Sequence, residues 1–457
     1  MIERLEKAPG SCACVLLLFL AACGDHGQPM LTAAGPPSIS QFTSDRVSYF
    51  VGERAQLTAV FENGIGSIQP GGVAIASGQT ITTPPLSAST TFRLTVVANA
   101  GIAIRDLALT ASYRERMRAI AMPFARGMHA AVPLNDGRVL IVGGVDESGL
   151  VTRSMYSFDP SSETFTQLAG TLDSGRVGFT AASLADGSVL VIGRLVAIPD
   201  AVVVDPQTGA VAPTASPPQI PRLFATATRL QDGKVLIVGG IFDSTPERSA
   251  EIYDPATGRF TLLPASLSFA RYQHTAVAFN DGRVLIYGGI TGTGTSAPPE
   301  LYDPATGTFT TLTPAESTVR ADHDAVRTSD GNIWIVGGGE DQAASALTSV
   351  IRFDATTLGL SRALDLATPR TFVAAAPLTD SRVLVTGGVT ANFGDIADSS
   401  ELIVTATALR TAGPSMSRPR YQHTMTVLTN GKVLIVGGIE RPPNTNPAGV
   451  ASAEIFE

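Results

Sequence analysis

Cysteine is scarce in this sequence of 457 residues. Its three cysteines, Cys12, Cys14 and Cys23, all lie near the start, so the remaining chain can form neither a disulfide nor a thiolate metal site. Basic clusters are also missing, and the formal net charge of −8 argues against DNA or RNA as a partner. The apolar run over 14–22 is too short to span a bilayer as a permanent helix.

The first 22 residues have the features of an export signal, because basic residues precede the apolar run and the run ends in LAAC at 20–23. This string resembles the lipobox of bacterial lipoproteins, in which the signal is removed before the cysteine and the cysteine is acylated. The resemblance implies a signal peptide over 1–22, then a lipidated Cys23 and a flexible tether over 23–36. The protein is then exported and lipid-anchored to the bacterial membrane, and Gly24 favours the outer membrane.

The segment 37–112 shows short alternating strands separated by turn residues. The apolar members of the two clearest alternations are Leu57, Ala59 and Phe61, and Phe92, Leu94 and Val96. This pattern predicts a small β-sandwich. Residues 83–101 (TPPLSASTTFRLTVVANAG) resemble the closing strands of bacterial Ig-like modules, which implies an Ig-like fold for this sandwich.

From 113 to 457 a phrase of the type DGRVLIVGG recurs seven times at steps of 46 to 50 residues, and such a period indicates a propeller. Each unit supplies strands a and b joined by an Asp-Gly hairpin, followed by strands c and d. The GG, Tyr/Phe-Asp-Pro and RxxH elements together resemble Kelch repeats. The last unit ends at strand c, and 114–122 can supply its missing fourth strand. The sequence therefore predicts an all-β protein, with a seven-bladed Kelch-type β-propeller after a small N-terminal Ig-like β-sandwich.

Two residue types recur in one register ahead of strand a. An arginine begins the register in every unit, and a histidine follows three residues later in four units. The arginines are Arg126, Arg176, Arg222, Arg271, Arg320, Arg370 and Arg420, and the histidines are His129, His274, His323 and His423. The arginines suit either an anion- or glycan-binding mouth or packing between blades, with Glu251, Glu300, Glu401 and Glu454 as partners. Because a position repeated in every unit is explained by blade packing, we interpret both series as structural and predict no metal site or cofactor.

An enzyme is the alternative function. Galactose oxidase is the enzyme family whose propeller these repeats most resemble, but its copper radical site needs a cysteine, and the chain has none after Cys23. We therefore expect no chemistry of that type. Asp322 and Asp324 flank His323 in the fifth unit alone, which leaves open a carbohydrate-active enzyme, resembling a sugar mutarotase or epimerase, with its site at the axial mouth.

The b-to-c loops differ in sequence from unit to unit, and binding residues are concentrated on such loops. The candidate contacts are Asp146, Glu147, Asp243, Glu247, Arg248, Glu340, Asp341, Asn392, Asp395, Arg441 and Asn444. Regular motifs with irregular loops favour a binding module over an enzyme. The predicted function is a cell-envelope lipoprotein whose propeller binds a protein or polysaccharide through the b-c loop face, with membrane contact through the lipid anchor alone.

Overall fold

The computed structural model describes residues 35–193, 200–294, 296–313, 320–340, 345–390, 395–440 and 446–457. These residues form 38 strands, β1 to β38 in chain order, and no helix, so the described chain is all-β. No described helix could therefore cross a membrane. The predicted leader, Cys23 and most of the tether lie outside the described residues.

An N-terminal unit comprises the first eight strands, in two sheets. One sheet has the order β1 (Ser38–Ser44), β3 (Gln56–Glu62), β6 (Thr80–Thr82). The other has the order β2 (Ser48–Phe50), β8 (Gly101–Ser112), β7 (Thr90–Ala98), β4 (Ile65–Gln69), β5 (Val73–Ile75). The alternation read from the sequence holds, because Leu57 and Ala59 on β3 are buried and so are Phe92, Leu94 and Val96 on β7.

The rest of the described chain forms seven four-stranded antiparallel sheets, numbered 1 to 7. Sheet 1 contains β10 (Ala130–Pro133), β11 (Val139–Val142), β12 (Ser154–Asp159) and β13 (Thr164–Thr171). Sheet 2 contains β14 (Thr180–Ser183), β15 (Val189–Ile192), β16 (Ala201–Val204) and β17 (Val211–Pro213). Sheet 3 contains β18 (Thr226–Arg229), β19 (Val235–Val238), β22 (Ala250–Asp254) and β23 (Arg259–Leu262). A small hairpin of β20 (Ile241–Phe242) and β21 (Thr245–Pro246) lies in a loop of sheet 3.

Sheet 4 contains β24 (Thr275–Ala278), β25 (Val284–Tyr287), β26 (Glu300–Asp303) and β27 (Thr308–Thr311). Sheet 5 contains β28 (Asp324–Arg327), β29 (Ile333–Val336), β30 (Leu347–Phe353) and β31 (Leu360–Arg370). Sheet 6 contains β32 (Ala374–Pro377), β33 (Arg382–Thr386), β34 (Ser400–Val404) and β35 (Leu409–Ala412). Sheet 7 contains β36 (Thr424–Val427), β37 (Val433–Val436), β38 (Ala453–Phe456) and β9 (Met117–Ile120).

The seven sheets form a closed ring. The first strand of each sheet contacts the first strand of the next, and β36 of sheet 7 contacts β10 of sheet 1. The second strands contain VLIV or close variants, and these four residues are buried in every sheet because they lie inside it with other sheets on both sides. The glycine pairs that end them are needed for close approach, since a Cβ on Gly288 would lie 2.4 Å from the Arg320 carbonyl of the next sheet.

Sheet 7 joins the two ends of the repeat region. As the sequence predicted, a strand from the start of the region, β9, supplies the fourth strand beside β38, with Met117 opposite Phe456 and Ile120 opposite Ala453. The Glu457 carboxylate then accepts hydrogen bonds from Lys432 Nζ (2.6 Å) and from the Arg116 and Arg118 guanidinium groups. Hydrogen bonds along the strands and an ionic cluster around the buried Glu457 side chain therefore stabilise the closure.

The N-terminal unit packs against one face of the ring, on the hairpins between first and second strands in sheets 6 and 7. The Tyr113 hydroxyl donates to the Gly431 carbonyl (2.7 Å), and its ring stacks on Phe456 at 5.2 Å. Thr379 donates to the Ser87 carbonyl (2.5 Å). One hydrophobic core runs through both parts, because buried residues of the N-terminal unit and of sheets 6 and 7 belong to the same cluster. We call the side of the ring that carries these hairpins the turn face, and the opposite side the loop face.

Candidate ligand-binding face

The loop face carries the connections from second to third strands and the segments that enter each first strand. Strand direction reverses at every turn, so these connections emerge opposite the hairpins that contact the N-terminal unit. The candidate contacts, the seven repeated arginines and the four repeated histidines all belong to segments on this side.

The seven repeated arginines are buried, with 0 to 3% of each residue exposed. Arg271 represents the group: its guanidinium donates to the Gly288 carbonyl (3.2 Å) and to Glu300 Oε1 (2.5 Å), both in its own sheet. Its carbonyl accepts the Gly240 amide (2.8 Å) of the preceding sheet. Six of the seven arginines accept such a backbone bond in the described chain, so each of these links its own sheet, through the side chain, to the preceding sheet, through the backbone.

The acidic partners differ among the sheets. Four arginines pair with the glutamates singled out from the sequence: Arg222 with Glu251 (2.9 Å), Arg271 with Glu300 (2.5 Å), Arg370 with Glu401 (3.3 Å) and Arg420 with Glu454 (2.7 Å). The other three bond elsewhere: Arg126 to Ser154 Oγ (2.7 Å), Arg176 to Asp173 (2.8 Å) and Asp200 (2.7 Å), and Arg320 to Ser349 Oγ (2.7 Å). Because these guanidinium groups are enclosed and already bonded, the ring of arginines presents no open mouth for an anion.

The four repeated histidines are buried between neighbouring sheets. In each, Nε2 lies within 2.7 to 3.0 Å of a threonine hydroxyl on the preceding sheet, in the pairs His129–Thr424, His274–Thr226, His323–Thr275 and His423–Thr386. Burial lowers the pKa of His129 and His274 to about 3, so both imidazoles are neutral near pH 7. Neutral, hydrogen-bonded rings in four separate contacts join sheets, and they do not converge on a common point.

A second repeated feature lies between each arginine and the first strand. The residue two positions after every repeated arginine is in the left-handed region, with φ between 49° and 64°. These seven residues, which we call the axial ring, are Met128, Gly178, Phe224, Gln273, Asp322, Phe372 and Gln422. Each is half-buried and immediately precedes the inner ring of first strands, so together they border the axial opening on the loop face.

Backbone hydrogen bonds join neighbouring members of the axial ring. The Phe224 amide donates to the Gly178 carbonyl (2.6 Å), and the Phe372 amide donates to the Asp322 carbonyl (2.8 Å). Glycine at 178 makes room for its neighbour, since a Cβ there would lie 2.9 Å from the Phe224 ring. The positions around the opening are therefore fixed by the backbone, while the side chains differ from sheet to sheet.

Asp322, His323 and Asp324 are consecutive but have three separate environments. The Asp324 carboxylate accepts the amides of Ala325 and Ala375, both at 2.8 Å, and thereby links sheet 5 to sheet 6. His323 Nε2 forms its hydrogen bond with the Thr275 hydroxyl. Among the described residues, no hydrogen bond or ion pair engages the Asp322 carboxylate, and burial raises its pKa to about 7. The three side chains therefore do not form a hydrogen-bonded acid and base pair.

The loop residues proposed from the sequence fall into three groups: exposed residues, residues with a hydrogen bond inside their own loop, and residues outside the described ranges. Glu147, Asp243, Arg248, Glu340 and Asp395 are exposed on the loop face. Asp146 is half-buried, and its carboxylate accepts the Ser148 amide (2.9 Å) and the Leu150 amide (3.0 Å) within its own turn. Glu247 accepts a bond from Ser249 Oγ (3.2 Å). The remaining candidates, Asp341, Asn392, Arg441 and Asn444, lie outside the described residues.

Sequence reasoning missed the axial ring apart from Asp322. Its members include two aromatic residues, Phe224 and Phe372, and the Phe372 ring lies 5.8 Å from the Tyr421 ring. Met128 and Phe372 also pack against a buried cluster of Val389, Tyr421 and Ile439. A signal was present, because the residue before the histidine position varies freely within an otherwise repeated RxxH register.

Comparison with known proteins agrees with this architecture. The Kelch motif matches residues 126–171 and 226–265. A solved structure described as a novel fungal alcohol oxidase with catalytic diversity among the AA5 family, in complex with copper, is similar with a TM-score of 0.61 and 18% identity, over 74% of this chain and 75% of that chain. At this identity the likeness shows the fold alone. No curated protein matches the chain. The described chain is all-β, and two of its segments match the Kelch motif.

The residues of this chain do not fit the copper of that oxidase. Within the described ranges, no group of three or more histidine, cysteine, aspartate or glutamate side chains is arranged to hold a metal ion. The buried histidines are committed to threonine hydroxyls on separate sheets, and the sequence has no cysteine after Cys23. We therefore derive no copper-dependent step for this protein.

Proposed function

We propose that this protein is a lipid-anchored protein of the bacterial envelope whose seven-bladed Kelch propeller binds a protein or polysaccharide partner through its loop face. The observation that carries the proposal is the contrast between a repeated, bonded scaffold and exposed polar side chains that differ from sheet to sheet on one face. Loops held by a rigid scaffold are the usual place for binding residues, and Kelch repeats generally mediate protein interactions.

The position of the N-terminal unit supports this orientation. It covers part of the turn face, through Tyr113 and Thr379, and leaves the loop face open. The described chain begins beside Asn63, whose side-chain amide donates to the Pro36 carbonyl (3.3 Å). Strand β3 separates this end of the unit from the end that contacts the ring by about 20 Å. An Ig-like unit over 37–112 would then act as a stalk between a lipidated Cys23 and the propeller.

The enzyme alternative requires an acid and base pair, and Asp322, His323 and Asp324 do not form one through hydrogen bonds. Binding is therefore the function that we propose. The exposed candidates are mostly negatively charged. Four are acidic and one is basic: Glu147, Asp243, Glu340 and Asp395 against Arg248. A partner with basic groups fits this face better than an acidic one.

The binding proposal is tested by capture of partners from envelope fractions with three forms of the full chain. One is the wild type, and the second carries Glu147→Gln, Asp243→Asn, Glu340→Gln and Asp395→Asn. The matched control carries the same number of charge-neutralising changes away from the loop face: Glu62→Gln, Asp106→Asn, Asp232→Asn and Asp281→Asn. We expect the partner to be retained by the wild type and the control and lost from the loop-face variant. Loss from the control alone, or capture of nothing by the wild type, would contradict the proposal.

The lipid anchor is tested separately. Cells expressing the wild type or a Cys23→Ala variant are supplied with an alkyne-tagged fatty acid, and the purified proteins are examined for label. We expect label on the wild type alone, together with outer-membrane fractionation. Equal labelling of the two proteins would contradict acylation at Cys23.

A further inference from the structure

Asp322 is the single charged residue among the seven positions of the axial ring, which borders the axial opening. The axial ring residues other than Asp322 are two phenylalanines, two glutamines, one methionine and one glycine. Carboxylates that are partly removed from water are normally paired with a cation or with several hydrogen-bond donors. Asp324 follows that rule through two amide bonds, but no bond of that kind to the Asp322 carboxylate occurs among the described residues.

The backbone of Asp322 is fixed, so the residue cannot shift to bring its carboxylate to a partner within the protein. Its backbone is held on both sides, because Ala321 bridges to Gly339 within the same sheet and His323 is buried against sheet 4. The Asp322 carbonyl also accepts the Phe372 amide, so the adjacent aromatic residue lies at a fixed distance along the ring. A half-buried carboxylate that has no protein partner in the described chain and is held at a fixed position in the ring reduces stability, and costs of this kind are concentrated at functional sites.

The surroundings of Asp322 define what could satisfy it. Phe372 and Met128 supply apolar surface at the opening, Phe372 packs at 5.8 Å from Tyr421, and Gln273 and Gln422 supply amide groups in the same ring. Lysine and arginine side chains have a long apolar stem with a charged end, so they match an apolar entrance that contains one carboxylate. Aromatic faces attract cations as well.

We propose that the axial opening of the loop face is a binding site for one lysine or arginine side chain of a protein partner, with the Asp322 carboxylate as its counter-ion. This inference deepens the proposed function and rests on it for the identity of the face. It assigns the partner's chemistry at the centre of that face, whereas the exposed acidic loop residues supply the weaker, screened attraction around it.

The test uses the full chain labelled with 13C at the methionine methyl groups, because Met128 lies in the axial ring. The signal of Met128 is assigned with a Met128→Leu variant. The probes are Nα-acetyl-arginine methyl ester, Nα-acetyl-lysine methyl ester, the neutral Nα-acetyl-citrulline methyl ester and glucosamine, each titrated near pH 8. We expect the arginine or lysine ester to shift the Met128 signal saturably and the citrulline ester to bind at least tenfold more weakly.

Two variants complete the experiment. Asp322→Asn is nearly isosteric and should weaken binding of the charged ester at least tenfold, while Glu62→Gln on the N-terminal unit removes the same charge and should leave binding unchanged. Circular dichroism and the unperturbed methionine signals report whether each variant is folded. Equal binding by Asp322→Asn and the wild type, equal binding of citrulline and arginine esters, or a preference for glucosamine would each overturn the proposal.

Failure of this inference is distinguishable from failure of the proposed function. If the loop-face partner is captured equally well by the wild type and Asp322→Asn, the binding face stands and the axial cation site is wrong. If the charged esters bind through Asp322 but no partner requires the loop face, the site stands and the proposed function is wrong.

Discussion

The Asp322 carboxyl makes the folded protein less stable as the pH rises. Its pKa is raised from 3.8 to about 7 by burial, so protonation is favoured in the folded state relative to the unfolded one. The shift of about 3 pH units corresponds to about 4 kcal/mol, at about 1.4 kcal/mol per unit. Because the side chain is only half-buried, water screens part of this penalty, and we expect about 2 kcal/mol.

The sign determines the pH window. Below about pH 3 the carboxyl is protonated in both states and carries no penalty. Stability decreases as the pH rises from about 3 to 7, because the unfolded chain ionises while the folded state keeps its proton, and the full loss applies above pH 7. Asp322→Asn removes the ionisation, so it should raise the free energy of unfolding by about 2 kcal/mol at pH 8 and by almost nothing at about pH 3.

Urea unfolding of the wild type, Asp322→Asn and the control Glu62→Gln at the two pH values measures this difference. Burial also raises the pKa of Asp324, to about 6, but the contribution of Asp324 to stability is common to all three proteins and cancels. The reasoning is refuted if Asp322→Asn is less stable than the wild type at pH 8, or if the difference between them is the same at both pH values.

Two further predictions concern ion pairs of two buried glutamates. Glu300→Gln leaves the Arg271 guanidinium buried with its acidic partner, 2.5 Å away, removed, so we expect a loss of about 3 kcal/mol in the free energy of unfolding. Glu62→Gln, measured beside it in urea, should change that energy by less than about 0.5 kcal/mol, and equal effects of the two changes would contradict the structural role of the pair. The pKa of Glu457 is affected first by burial, which raises it, but hydrogen bonds from Lys432 and two arginines prevail and lower it to about 2. The stability supplied by this carboxylate is present above about pH 4.5 and lost as the pH falls towards 2. Glu457→Gln should therefore cost about 2 kcal/mol at pH 7 and clearly less at about pH 2, and a cost that does not depend on pH would contradict the assignment.

Much of the scaffold follows from local sequence. The Asp-Gly pairs and the apolar runs after them locate the first two strands of each sheet, because a positive φ at glycine and strand burial are local requirements. The glutamate at the start of the third strand predicts the pairing of Arg271 with Glu300, since both recur in one register. Residues 114–122 precede Arg126 at the offset at which a fourth strand precedes Arg271, which predicts the pairing of β9 with β38.

The candidate site was less predictable, because it depends on contacts between distant parts of the chain. The sequence shows Asp322 and Asp324 as equivalent flanks of His323, yet Asp324 bonds to the Ala375 amide of the next sheet and Asp322 does not. The left-handed conformation of Phe372 and the packing of Phe372 against Tyr421 are likewise invisible in a single sequence. The contact of the N-terminal unit with the turn face joins residues more than two hundred positions apart.

The most direct test of the account is to ask which face of the ring meets a partner in the intact envelope. A photo-crosslinking amino acid is placed at Asp243 or Asp395 on the loop face, and at Asp232 or Asp281 on the turn face, in the full chain expressed in cells. The account predicts a crosslinked partner from the loop-face positions and none from the turn-face positions. Crosslinks from the turn face alone would contradict it.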